Sequence, residues 1–274
     1  MKKNSSTQQI AIIGAGNIGT ALADGIIRSG VAAAAGIVLT RRNLDAVPET
    51  DKKKYRFTTD NRAAIAQASV IFICVLPQQL NHCLQELAGT INVKKQLIVS
   101  VVTGAATASI REQVGEQARI IRAMPNTAMK VGQSMTCISA SNATQKDIQL
   151  VKTIFDAMGS TLLIKEEMMS AATALCACGT AFFLRAIRAA SQGGVEIGFH
   201  AEEAIHIAAQ TALGAATLLL QSGRHPEAEI DRVTSPRGCT IAGLNEMEHQ
   251  GFSSALIKGI KLSANIAGGL YTTK

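Results

Sequence analysis

Through the first 165 positions, short runs of branched apolar residues alternate with helical or polar segments. Runs at 10–13, 37–40, 55–58, 70–76, 96–101 and 119–123 have the length and composition of strands. The series continues with strands at 134–139 and 160–164 around a helical stretch at 144–158. Strands separated by helices imply parallel pairing with crossovers, which is an α/β fold with a Rossmann-type doubly wound parallel sheet. After about Lys165 the strands vanish. Residues 166–190 and 201–221 form long Ala-rich helical runs, the second with Ile205, Ala208, Ala212, Leu213, Ala216, Leu219 and Leu220 at helical spacing. Two further helical segments are predicted at 238–249 and 253–267. The chain is therefore expected to divide into a sheet domain, 1–165, and an all-α helical bundle, 166–274. The bundle's small residues suit a homodimer or higher homo-oligomer.

The strand at 10–13 runs straight into G-x-G-x-x-G, with Gly14, Gly16 and Gly19, and a helical pattern at 20–27 follows. Each glycine has a mechanical use in a dinucleotide site. Gly14 permits the turn out of the strand, Gly16 lets a pyrophosphate approach the backbone, and Gly19 lets the helix pack closely on the sheet. The phosphates would rest on the free amides that open that helix, around Asn17 and Ile18. Glycines also mark ordinary turns, so the flanking strand and helix carry the argument. The second strand ends Leu39-Thr40-Arg41-Arg42-Asn43, and no carboxylate follows until Asp45. A ribose-binding acid at that position suits NAD, whereas Thr40, Arg41 and Arg42 offer charge-assisted hydrogen bonds to a 2′-phosphate. The cofactor read from these residues is NADP, with NAD as the alternative.

Composition bounds the function further. A chain of 274 residues with 47% hydrophobic content can bury a sizeable core. The net charge of +7 would admit a nucleic-acid partner, but only 3% of residues are aromatic and Trp is absent, leaving few rings for base stacking. Lys52-Lys53-Lys54 reads as an exposed loop. The polar opening 1–9 argues against a leader, and no 18 uninterrupted apolar residues exist to span a membrane. The apolar stretch 171–184 reads as a buried helix. Six cysteines without C-x-x-C spacing read as thiols of a reducing, cytoplasmic compartment. The histidines are scattered, and His200 and His206 lack the i,i+4 spacing of a helical ligand pair, so no metal site is expected.

At 233–244 the sequence reads V-T-S-P-R-G-C-T-I-A-G-L. This segment resembles the signature of the pyrroline-5-carboxylate reductase family, V-T-S-P-G-G-T-T followed by a small-apolar helix. Three other stretches carry the same resemblance: G-A-G-N at 14–17, R-A-M-P-N-T at 122–127, and T-A-L at 173–175. It covers essentially the whole chain in order. The resemblance implies NAD(P)H-dependent reduction of a cyclic imine carboxylate to proline, with small molecules rather than nucleic acid or membrane as partners. It also implies roles for particular residues. Ser235 and Thr240 are the expected catalytic pair, with Thr240 near the imine nitrogen. Arg237, Gly238, Cys239 and Thr240 are expected to bind substrate, the amides of Gly238, Cys239 and Thr240 forming an anion site for its carboxylate. Asn61, Val75, Leu76, Pro77, Val102, Thr103 and Asn126 are expected to line the cofactor along the carboxyl edge of the sheet.

The departures from the family pattern fall near the expected substrate site. Arg237 stands where the family has glycine, Cys239 where it has threonine, Arg224 where it has glutamate and Leu76 where it has lysine. If that glycine supplies a positive φ, arginine there costs on the order of 1 kcal/mol. Three readings stay open at this point: the reductase itself, a reductase of a related imine that is bulkier or more anionic, and a non-catalytic NADP-binding protein. A β-hydroxyacid dehydrogenase is disfavoured, since that class needs a lysine on the first bundle helix and none occurs between Lys165 and Lys258.

Overall fold

The computed structural model describes residues 8–271. Most of the polar opening that bears on a leader lies outside them. The strands are β1 (Ile10–Ile13), β2 (Ile37–Thr40), β3 (Arg56–Thr58), β4 (Val70–Ile73), β5 (Leu97–Ser100), β6 (Arg119–Met124), β7 (Ser134–Ser141) and β8 (Gly159–Leu163). They form one sheet in the order β3-β2-β1-β4-β5-β6-β7-β8. Helices α1 (Asn17–Arg28), α2 (Glu49–Lys54), α3 (Asn61–Ile65), α4 (Pro77–Leu87), α5 (Thr107–Val114) and α6 (Gln145–Asp156) make the connections. The lysine triplet thus closes a short helix rather than occupying a loop.

The central strands β1, β4 and β5 are buried at every position, and apolar at all but Ser100, because both faces of the sheet are covered. Ile10, Ile12, Val70, Phe72, Leu97 and Val99 point into one core, while Ala11, Ile13, Ile71, Ile73 and Ile98 point into the other. Period-two alternation splits each strand between two separate hydrophobic layers. Phe72 meets Phe155 edge to face at 6.4 Å, tying β4 to α6. Each fully buried side chain of this size contributes about 1.5–3 kcal/mol.

One pairing departs from the parallel pattern: β7 runs antiparallel to β6. Only residues 125–133 join the two strands, and this is too short for a packed crossover helix. The link is a 3-10 turn, Thr127–Val131. From β7 to β8 the 12-residue α6 restores a parallel crossover.

Beyond β8 the chain continues through α7 (Met169–Ala172), a π turn (Thr173–Cys178), α8 (Gly179–Glu196), α9 (Ala201–Ser222), α10 (Pro226–Val233), α11 (Cys239–His249) and α12 (Phe252–Gly268). The long helical run starting at 166 is therefore broken by the π turn. Two compact units result, one reaching Ala177 and including the segment from Ser263 onward, the other Cys178–Leu262. The boundary read from sequence, 165/166, lies just beyond β8.

In the second unit, α8 and α9 pack on each other, yet Ser191 and Ala204 are among the few buried side chains. Leu213, Leu218 and Leu220 on α9 are 57%, 58% and 86% exposed. The stretch 171–184 corrects the expectation of a buried helix. Ala172, Thr173, Ala174 and Cys176 are enclosed, but Leu175, Phe183 and Leu184 are 58%, 61% and 59% exposed. By length and mean hydropathy alone, 1.5 and 1.3, Glu166–Glu196 and Ala201–Ser222 could each cross a membrane. Arg185 and Arg188, near the middle of the first, would each cost a few kcal/mol there.

Candidate functional site

The fingerprint loop has the geometry its three glycines require. Gly14 takes φ +101°, and a Cβ on it would lie 2.6 Å from the carbonyl oxygen of Cys74. A Cβ on Gly19 would lie 2.3 Å from the carbonyl oxygen of Gly14. Around Gly16 there is open space instead, with no atom within 4 Å of the equivalent position. Gly16 caps α1 without a side chain, and no acid occupies the first turn. The leading N–H groups of α1, at Asn17, Ile18 and Gly19, have no intrahelical acceptor and carry the positive end of the helix dipole. A closed turn, an open flank and unpaired donors together make an anion cradle.

The end of β2 braces this cradle. Thr40 is buried, and its hydroxyl accepts a hydrogen bond from the Gly14 N–H at 3.2 Å. The Ala15 N–H donates to the Thr40 carbonyl at 2.7 Å, and the Arg41 guanidinium donates to the Ala15 carbonyl at 3.3 Å. Arg42 is exposed and has no protein partner among the described residues. Thr40 and Arg41 are thus partly committed to the loop itself, while Arg42 keeps all its donors.

The remaining sheet-edge residues separate into two groups. Ile18, Val101, Thr103, Met124, Pro125, Asn126, Thr127 and Ala177 line one cavity of about 210 Å³. Three expected cofactor residues, Ile18, Thr103 and Asn126, are brought together there. Asn126 is held from two sides: its side-chain oxygen accepts from the Ala128 N–H, and its amide donates to the Cys176 carbonyl at 3.2 Å. That carbonyl belongs to the π turn, where the normal helical acceptor pattern is interrupted. Val102 is buried, with its N–H on the Ser100 hydroxyl. Val75, Leu76 and Pro77 form the start of α4, with Pro77 in its first turn and Leu76 63% exposed. None of these lines the cavity. Asn61 opens α3 and spends its side-chain amide on Glu86 at 2.8 Å.

A network the sequence did not point to as a unit joins β6, β7, α5 and the segment after β8. Arg122, on β6, is 5% exposed and donates to Glu166 at 2.7 Å. The same carboxylate accepts from the Ser139 hydroxyl on β7 and from the Thr107 N–H that opens α5, the latter at 3.1 Å. Burial opposes the charge on Glu166, but Ser139, Arg122 and Thr107 outweigh it and hold the carboxyl below its ordinary range. The available signal was Arg122 itself. A cation in the buried middle of a strand demands a partner.

In the second unit, the loop between α10 and α11 carries the remaining candidates. Arg237 takes φ +60°, the left-handed conformation that glycine adopts without penalty. A Cβ on Gly238 would lie 2.9 Å from the Ser235 carbonyl oxygen, so a side chain there would force the turn to shift. The Gly238 N–H donates to the Ser235 carbonyl at 2.9 Å. That closes the turn and removes one of the three amides expected to bind an anion. The N–H groups of Cys239 and Thr240 remain at the start of α11, with no side-chain cap over them. Ser235 and Arg237 are exposed, Thr240 is half-buried, and their side chains have no hydrogen-bond partner among the described residues. His200, weighed above as a metal ligand, caps α9 with Glu203.

Residues 166–270 match the family described as pyrroline-5-carboxylate reductase dimerisation. Residues 9–104 match NADP oxidoreductase coenzyme F420-dependent. Among relatives, the chain is 46% identical over 275 residues to pyrroline-5-carboxylate reductase 2 of Dictyostelium discoideum, covering 94% of this chain and 92% of that protein. It is 48% identical over 277 residues to pyrroline-5-carboxylate reductase 1 of the same organism, covering 97% of this chain; here it spans half of the relative's length, 50%. A crystal structure of Plasmodium falciparum pyrroline carboxylate reductase with NADP bound superposes with a TM-score of 0.88 at 22% identity, covering 97% of this chain and 98% of that one.

Proposed function

The chain belongs to the pyrroline-5-carboxylate reductase family, and from that premise we propose that it reduces 1-pyrroline-5-carboxylate to L-proline with NADPH. The observation that carries the proposal is the 46% identity maintained over nearly the full length of both chains.

The residues present fit NADP. The amides of Asn17, Ile18 and Gly19 face the open flank at Gly16 and suit a pyrophosphate. Arg42, with the unused donors of Arg41 and the hydroxyl of Thr40, suits a 2′-phosphate, and no carboxylate competes until Asp45. When bound, the dinucleotide supplies a hydride. Ile18, Thr103 and Asn126 make the wall that orients its reactive end and keeps water out. On the helical unit, the N–H groups of Cys239 and Thr240 hold the substrate carboxylate at the start of α11. The imine nitrogen must carry a proton as its carbon is reduced, and the Thr240 hydroxyl positions that proton, with Ser235 completing the polar lining. Arg237 adds a cationic contact for the carboxylate beside the two amides.

The exposed apolar faces of α8, α9 and α12 support a homodimer, or multiples of one, as the working form. A shared apolar face removes from water the side chains that this chain alone leaves exposed. Cysteines that form no disulfide fit a reducing compartment, and a cytoplasmic location belongs to the proposal.

Incubating the purified chain with NADPH and pyrroline-5-carboxylate tests the assignment. Imine-dependent NADPH oxidation with stoichiometric proline supports it. Tight NADPH binding without turnover on this or a more anionic cyclic imine replaces it with the non-catalytic reading.

A further inference from the structure

Cys137 and Cys176 lie with their sulfur atoms 3.5 Å apart. One is on β7 and the other in the π turn, so this is a contact between elements distant in sequence. The two thiols form a small enclosed cluster with Ala172, against which Met135 and Ile164 pack. From this geometry we propose that Cys137 and Cys176 are a site of reversible oxidation to an intramolecular disulfide, taking a hydroperoxide as its oxidant. The consequence for turnover rests on the reductase reading; the disulfide itself does not.

The chemistry balances within the pair. One thiol gives its proton to solvent, and its thiolate attacks the hydroperoxide to form a sulfenic acid, releasing water or an alcohol. The second thiol then displaces water from that sulfur, forming the S–S bond. Two thiol hydrogens are lost, and the hydroperoxide is reduced by two electrons. Whichever of the two ionises, its thiolate lies within reach of the other's S–H, which stabilises it. Cys74 and Cys83 have no such partner, and burial pushes both thiols up to about 12. They are poor nucleophiles at neutral pH.

Bond formation requires the sulfurs to close from 3.5 Å to about 2.05 Å. The movement falls on a functional turn. The Cys176 carbonyl receives the Asn126 amide, and the next residue, Ala177, lines the same cavity as Asn126. On the other side, Cys137 is paired in register with Met124, a further lining residue. Oxidation therefore displaces two walls of the cavity assigned to the reactive end of the cofactor. A misplacement of about 1 Å at such a site can cost on the order of a hundredfold in rate.

The test treats the purified full chain with hydrogen peroxide, maps cross-linked peptides by mass spectrometry, and measures NADPH affinity by fluorescence alongside turnover. The expected result is a Cys137–Cys176 peptide pair lighter by two hydrogen atoms, with turnover down about tenfold and recovered by a dithiol. C137A retains basal turnover and resists peroxide. Absence of the cross-link overturns the proposal, as does a cross-link that leaves both affinity and turnover unchanged, or equal peroxide sensitivity in C137A. Should C137A fold poorly, C137S serves in its place. Because the peptide pair is read without any activity, an inactive chain that still forms it sinks only the reductase reading.

Discussion

The sheet unit and the helical unit contain similar proportions of apolar residues but use them in opposite ways. In the sheet unit, β1, β4 and β5 are buried at every position, and two hydrophobic layers close over them within one chain. In the helical unit, α9 leaves Leu213, Leu218 and Leu220 more than half exposed. The first unit carries its own core; the second carries half of one. The contrast shows that hydrophobic periodicity specifies a buried face without specifying whose atoms bury it.

A charge on the open face should break the contrast most severely. Leu213→Asp forces a carboxylate into whatever covers α9, at a cost of several kcal/mol. The expected outcome is a monomeric mass by light scattering at micromolar concentration, with turnover lost. An unchanged oligomer would mean that this face lies outside the interface.

Within the sheet unit the glycines divide by what surrounds them. Gly19→Ala drives a Cβ to 2.3 Å from a carbonyl oxygen and should destabilise by about 2–4 kcal/mol in denaturant unfolding. Gly16→Ala meets open space, so stability should stay within about 0.5 kcal/mol, while the KM for NADPH rises about tenfold through lost backbone approach. Equal effects in both assays would dissolve the distinction between a packing glycine and a ligand-approach glycine.

Glu166→Gln tests the Arg122–Glu166 network. Leaving Arg122 without its carboxylate should cost about 2 kcal/mol, discounted for the exposed side of Glu166. The sign with pH follows from a folded pKa held below its unfolded value. The stabilisation is complete above the unfolded pKa of about 4.3 and is lost as pH falls through the lower folded value. Wild type and variant should therefore converge in acid; a gap that stays constant with pH would show that Glu166 acts through shape alone.

The smallest effect is expected in the helical unit's loop. Arg237→Gly relieves a left-handed arginine but adds unfolded-state entropy, so stability should rise by no more than about 1 kcal/mol. A rise in the KM for the imine without a change in the KM for NADPH would place the guanidinium on the substrate. No change in either would leave Arg237 a strained surface residue.

What could be read from the chain alone was local. Strands and helices follow from periodicity, and the turn at Gly14 follows from steric demands within a few residues; the left-handed turn at Arg237 is an expectation carried by the resemblance, which has glycine there. Even the preference for a 2′-phosphate rests on three consecutive positions, Thr40, Arg41 and Arg42. Other features depended on distant residues meeting. Arg122 signals that it needs a partner without naming Glu166, 44 positions away, and the grip of the π-turn carbonyl on Asn126 and the contact of Cys137 with Cys176 have no signature at either end taken separately. Sequence order determines which conformations each segment can adopt at low cost; only packing decides which polar groups must then pair, because a buried donor or charge finds its partner in three dimensions and pays heavily if it does not.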